Sequence, residues 1–324
     1  MASHSAFLNK AVTIDGMFDT YLDIAQSRGL AFFYGVTLGG GTLMILLMSW
    51  LWWHYSYLNP QTVFWSAVNN NLVVNGVTKH TASQDNTGKL EQYDQISLGA
   101  PNLVKSVATL TQTGANEQKN AVVTETLGTP SVNFSRYTKI ETSAKTSNGK
   151  APDFSKVVNQ WSKQELGTSA NGSFAEAIFD IIPFARLSAA QRHEVLNGMQ
   201  RDNTYGIDFG AVQKARKDGR LFYGYDASIA PDKYVSLLKQ VDSMMGLNQL
   251  KNLDPSQYQG SRPVQVKIIV DAAAHQLAAL EYTGTQREVT YTAWGASRDG
   301  ILPTNTISQA DLQRRLNTVV NGQQ

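Results

Sequence analysis

Side chains that commonly carry chemistry are thinly spread along these 324 residues. The five histidines, His4, His54, His80, His193 and His275, never stand three or four positions apart, the spacing that lets two of them grip one metal from a helix. His193-Glu194 opens an H-E-x-x-H pattern, but the second histidine is missing. The absence of cysteine excludes disulfides, thiolate metal sites, iron–sulfur clusters and a thiol nucleophile. There is no G-x-S-x-G elbow and no Walker loop. Asp271 and Glu281 have no visible partner for acid–base work, which needs two groups that converge. Asp15, Asp19 and Asp23 recur at helical spacing opposite Met17, Phe18, Tyr21 and Leu22, the wet face of an amphipathic helix. The expectation is a protein that is not an enzyme, with no catalytic residue, no metal and no cofactor.

Charge removes another class. Twenty-eight basic residues against 26 acidic ones give +2, and Arg314-Arg315 is the densest basic pair. A nucleic-acid binder would cluster its positive charge on one face, so no nucleic-acid partner is expected. Asn133-Phe134-Ser135 and Asn171-Gly172-Ser173 match the glycosylation sequon, a pattern frequent enough to arise by chance.

The strongest signal is apolar. Residues 30–53 carry no charge, with Phe32, Phe33 and Tyr34 at one end and Trp50, Trp52, Trp53, Tyr55 and Tyr57 at the other. About 20 apolar residues span a bilayer as a helix, and aromatic belts mark its interfaces. A cleaved signal peptide fits less well, because its apolar region runs about 7–15 residues before a small-residue cleavage site. The tract therefore predicts one transmembrane helix. Lys10 and Arg28 precede it and the next lysine is Lys79, so the positive-inside rule puts residues 1–29 in the cytoplasm and residues 60–324 outside the cell membrane. Gly35 and Gly39 form a G-x-x-x-G pair, which fits close helix–helix contact in a homo-oligomer or merely a lipid-facing helix that tolerates glycine.

Beyond Asn59-Pro60 the pattern is α+β. Val63, Phe64 and Ala67 predict a helix over 60–70. Runs rich in Val, Thr, Tyr and Phe predict strands over 72–81, 103–112, 121–126 and 133–142. Phe154, Val157, Val158 and Trp161 share one helical face, which predicts a helix over 154–166, and a second apolar stretch covers 174–184. Ser188 and Gln191 form a capping box. A short strand over 204–209, an Asp218-Gly219 turn and a strand from Leu221 come next. Pro231 opens a helix, strands follow over 264–270, 277–282 and 289–294, and Ser308 caps the last helix. The absence of β-α-β alternation argues against a Rossmann or barrel enzyme.

One face of that sheet carries Val264, Val266, Ile268 and Val270, with Leu280 and Tyr282, Val289 and Tyr291, and Leu221, Tyr223 and Tyr225 beside them. Such a face is covered by helices as an ordinary core or filled by an apolar ligand. The strand–helix segment DGRLFYGYDASIAPDKYVSLL, then PVQVKIIVDAAAHQLAALEYTG and REVTYTAWGASRDGILP, resembles lipoprotein carriers of the LolA/LolB and LppX/LprG type over roughly residues 60–305. The resemblance implies a curved antiparallel half-barrel with helices on its concave face, here preceded by a transmembrane helix. It further implies a tethered extracytoplasmic protein that holds a lipid, lipoprotein or acyl chain. Leu221, Tyr223, Tyr225, Val266, Ile268, Leu280, Tyr282, Val289 and Tyr291 would line the cavity. The layout of tail, span and α+β domain also matches bitopic subunits of secretion or envelope complexes, the structural alternative.

Overall fold

The computed structural model describes residues 42–99, 101–113, 119–146, 149–167, 172–296 and 300–321. The chain divides into two compact units, residues 1–59 and 60–324. In the first, helix α1 is described over 42–52 and passes into a π-helical turn, Trp53–Tyr57, where the rings of Trp53 and Tyr57 stack at 4.4 Å. Leu43, Met44, Ile45, Leu46, Leu47, Met48, Trp50 and Trp52 are each more than half exposed, so α1 has no dry face of its own. Among the described residues no helix is long and apolar enough to cross a membrane. Residues 30–41, with Gly35 and Gly39, lie outside the described residues, as does the acidic stripe at Asp15, Asp19 and Asp23.

Among the described residues the second unit is built on thirteen strands. β1 (Gly76–Gln84), β2 (Gly88–Ser97), β3 (Leu103–Thr113), β4 (Lys119–Gly128) and β5 (Val132–Thr142) form a meander, followed by β6 (Ser162–Glu165). β7 (Tyr205–Ile207), β8 (Gln213–Lys217), β9 (Arg220–Ile229), β10 (Val264–Asp271), β11 (Gln276–Tyr282), β12 (Arg287–Thr292) and β13 (Ile307–Ser308) complete the sheet. Its order is β13-β6-β5-β4-β3-β2-β1-β12-β11-β10-β9-β7, with β8 paired to β9 off that path. Only the β13–β6 pair is parallel among these ladders. The helix α2 (Pro60–Asn71) precedes the strands, α3 (Ser173–Ile178), α4 (Ala189–Arg201) and α5 (Pro231–Met244) are inserted between them, and α6 (Gln309–Val320) follows them.

This corrects the expected half-barrel, with helices on its concave face and a transmembrane helix in front. The sheet is open and mostly antiparallel, and wider than the apolar runs indicate. Three of the additional strands have little apolar character: β2 reads GKLEQYDQIS, β6 reads SKQE, and every residue of β8, QKARK, is exposed. Strands in a ladder are held by backbone hydrogen bonds, which a hydrophobic pattern does not report. The helix expected over 154–166 is also corrected. Residues 155–159 form turns and 162–165 are β6, although Val157 is buried as its apolar spacing suggested. The two end strands, β7 and β13, have three and two residues, short edges that offer little template for pairing with another chain.

Elsewhere the local rules hold. Asp218 and Gly219 both take positive φ (51° and 76°) in the two-residue turn between β8 and β9. Ser188 and Gln191 make the reciprocal hydrogen bonds of a capping box on α4, and Pro231 stands at the first turn of α5. Alternation along each strand gives the sheet an inner face. Its register places Lys79 opposite Tyr291 and Asp94, Val289 opposite Leu280, and Ile268 opposite Leu280 and Tyr225. The β9–β12 half of this face is apolar, and α2 lies against β10 and β11. Phe64 of α2 is fully buried, with ring centroids 5.3 Å from Tyr225 and 5.9 Å from Tyr205. The Tyr225 hydroxyl donates to the Pro60 carbonyl (2.8 Å), which fixes the start of α2.

Truncating a buried aromatic side chain removes its transfer energy and leaves a cavity. Phe64→Ala should therefore cost about 3–5 kcal/mol in urea unfolding. Arg216→Ser on exposed β8 should stay within about 0.5 kcal/mol of the parent.

Candidate functional site

The inner face changes character at β1. Its inward residues, Lys79, Thr81 and Ser83, stand opposite Asp94, Gln92 and Leu90 of β2 and opposite Tyr291, Val289 and Arg287 of β12. Above them runs the segment that follows α3. That helix stops at Ile178, and the Asp180 carboxylate accepts the backbone N–H of Ile181 (2.8 Å), a local bond that competes with further helical pairing. Pro183 then keeps Ile182 out of the α region. Between sheet and segment lies a cavity of about 710 Å³. Its polar lining includes Lys79, Gln92, Asp180 and Arg287; its apolar lining includes Leu90, Phe179 and Leu250.

The floor is an ion cluster. Lys79 Nζ lies 3.6 Å from Asp94 Oδ2 and 3.5 Å from Asp180 Oδ2, and all three residues are buried. One ammonium between two carboxylates leaves one negative charge in excess. Asp180 is further held by tyrosines. The Tyr291 hydroxyl donates to Oδ2 (2.9 Å), Tyr282 reaches Oδ1 (3.5 Å), and Tyr234 donates to the Asp180 carbonyl (2.6 Å). Tyr205 donates to the next carbonyl, of Ile181 (2.7 Å). Asp94 accepts from Gln92 Nε2 at Oδ1 (2.8 Å), while Oδ2 has no hydrogen-bond donor among the described residues.

These tyrosines are held neutral. Burial, above all, and then the Asp180 charge raise Tyr205, Tyr282 and Tyr291 above the ordinary tyrosine value, with Arg287 opposing the rise at Tyr282. At Tyr234 burial comes first, followed by neighbouring Tyr205 and then Asp180. Each hydroxyl thus stays a donor at neutral pH. Among the described residues no group of three His, Asp or Glu converges as a metal site.

The residues expected to line a ligand cavity divide between core and cavity. Tyr223, Tyr225, Val266, Ile268, Leu280 and Val289 are buried in the sheet core, and Leu221 is half-buried on β9. Tyr282 lines the cavity and Tyr291 is buried against its floor through Asp180. The sequence alone does not single out Lys79, Asp94, Asp180 and Arg287 as site residues. The available signals were a lysine at an inward strand position beside Val77, and two carboxylates, Glu176 and Asp180, inside the apolar run 174–184. A second cavity, of about 430 Å³ on the opposite face, includes Leu103, Leu127, Trp161 and Ile301. Its carboxylate, Glu125, is already paired with Lys105 (2.9 Å) and Arg136 (2.5 Å), so the first cavity is the better candidate.

No family model matches the chain, and no curated protein matches it.

Removing one partner of a buried ion pair strands the other. Lys79→Met should therefore lower stability by about 3–5 kcal/mol, read by urea unfolding at neutral pH. The tyrosines give a pH test. Their folded values lie above the unfolded value of about 10, so their contribution is complete below that pH and is lost as the pH rises through the folded values. Absorbance at 295 nm should show Tyr205, Tyr234, Tyr282 and Tyr291 ionising only together with loss of the near-ultraviolet circular dichroism.

Proposed function

We propose that this chain is a membrane-attached, extracytoplasmic binding protein rather than an enzyme, and that it holds an amphiphile in the cavity between β1, β2 and the segment after α3. One observation carries the reading. The cavity, about 710 Å³, combines Leu90, Phe179, Ile181 and Leu250 with Lys79, Gln92, Tyr282 and Arg287. Its volume falls in the range of about 300–1,000 Å³ usual for small-molecule sites. A mixed lining suits a ligand with an apolar and a polar part better than a bare acyl chain. The charged groups of the floor are tied to one another and to tyrosine hydroxyls, which favours holding a ligand over passing protons.

Attachment rests on the uncharged tract over 30–53, whose described part exposes Leu43 to Met48, and sidedness on Lys10 and Arg28 before it. Membranes washed in alkaline carbonate should retain the chain, and externally added protease should reach the domain after Pro60. For the ligand, native mass spectrometry of the full chain in detergent should detect a bound amphiphile. Thr81→Trp, which fills the cavity from β1, should lose that mass at an unchanged unfolding midpoint. Equal ligand on parent and variant would move the site elsewhere. No ligand on either, with a stable complex recovered by crosslinking, would instead favour the structural role in an envelope assembly.

A further inference from the structure

Charge and distance within the cavity specify the head group of the ligand, an inference that rests on the binding role proposed above. The floor holds one cation, Lys79, against Asp94 and Asp180. Both ion-pair distances, 3.6 and 3.5 Å, exceed the roughly 2.7–2.9 Å of a closed ammonium–carboxylate hydrogen bond. Lys79 therefore sits between the two acids without neutralising both, and Asp94 Oδ2 lacks a hydrogen-bond donor among the described residues. An uncompensated buried charge is costly, so this floor attracts a further positive group. Of the two acids, Asp180 is the one that lines the cavity, its carboxylate also accepting Tyr291, Tyr282 and the Ile181 amide, and Glu176 of α3 lines the same space.

The other end has the opposite character. Arg287 lines the cavity with its guanidinium carbon 4.8 Å from the centre of the Tyr282 ring. It enters no ion pair among the described residues, unlike Lys89, Lys105 or Arg136. A guanidinium stacked on a ring and unpaired keeps its planar fork for a phosphate. Tyr282 connects the two ends, its ring under Arg287 and its hydroxyl 3.5 Å from Asp180 Oδ1.

We propose that the cavity selects an amphiphile whose head group joins a primary ammonium to a phosphate, the ammonium on Asp180 and the phosphate on Arg287. The chemistry discriminates against two relatives. A glycerol phosphate head leaves the excess charge unmatched. A trimethylammonium head carries the charge but has no N–H to donate to a carboxylate.

Isothermal titration of the full chain in lipid-free detergent micelles tests this, with dihexanoyl phosphatidylethanolamine, phosphatidylcholine and phosphatidylglycerol as probes. The ethanolamine lipid should bind at least about tenfold more tightly than either of the others, the scale of one charged hydrogen bond. Arg287→Gln, an exposed change that should spare the fold, should weaken all three by about tenfold and keep their order. Glu176→Gln should leave most of the preference, and Asp180→Asn, where it folds, should abolish it. Equal affinity for the three lipids, or preference for the glycerol lipid, would overturn the head-group assignment and leave the binding role standing. An Arg287→Gln variant that binds all three as the parent does would overturn the phosphate contact. Binding of none of them would end both.

Discussion

The ion cluster formed by Lys79, Asp94 and Asp180 is the constraint around which the second unit is arranged. Asp180 stands where α3 has just ended, in a segment with no sheet partner of its own. Its side chain and carbonyl receive Tyr291, Tyr282, Tyr234 and the Ile181 amide, while Lys79 draws it toward β1. These donors come from β12, β11, α5 and β1, so one carboxylate ties together elements far apart in the chain. Buried ion pairs contribute little net stability, but a broken one is expensive, which gives the arrangement specificity more than strength. The four tyrosines serve because burial and the Asp180 charge keep them protonated and able to donate.

The same cluster decides where the inner face is filled and where it is open. Over β9–β12 that face is apolar, and α2 closes it with Phe64 against Tyr205 and Tyr225. At β1 and β2 the inward positions become Lys79, Thr81, Ser83, Asp94 and Gln92. A helix with an apolar stripe cannot cover such a surface without stranding its charges. The segment after α3 meets it with a carboxylate and leaves space beside it. Core and cavity are thus neighbours on one face, separated by residue chemistry rather than by a change of fold.

Much of this was legible in the sequence. The α2 stripe, the capping box at Ser188, the Asp218-Gly219 turn, the proline start of α5 and the strands β3 to β5 and β9 to β12 follow from local rules. The full width of the sheet was not, because β2 and β8 are polar and owe their conformation to backbone pairing, β2 with β1 and β3, β8 with β9 alone. The apolar residues of β9 to β12 were correctly grouped on one face, yet periodicity cannot say whether a helix covers them. The site was the least legible part. Lys79, Asp94, Asp180 and Arg287 are distant in sequence and meet only through the register of β1 with β2 and β12 and the break after Ile178.

We propose the polar half of the inner face as a ligand site. A crystal structure of the full chain grown with dihexanoyl phosphatidylethanolamine tests it most directly. The ammonium should lie within hydrogen-bond reach of Asp180, the phosphate on Arg287, and the acyl chains along Leu90, Phe179 and Leu250. A collapsed cavity, with Phe179 or Leu250 filling the space above Lys79 and the lipid elsewhere, would contradict it.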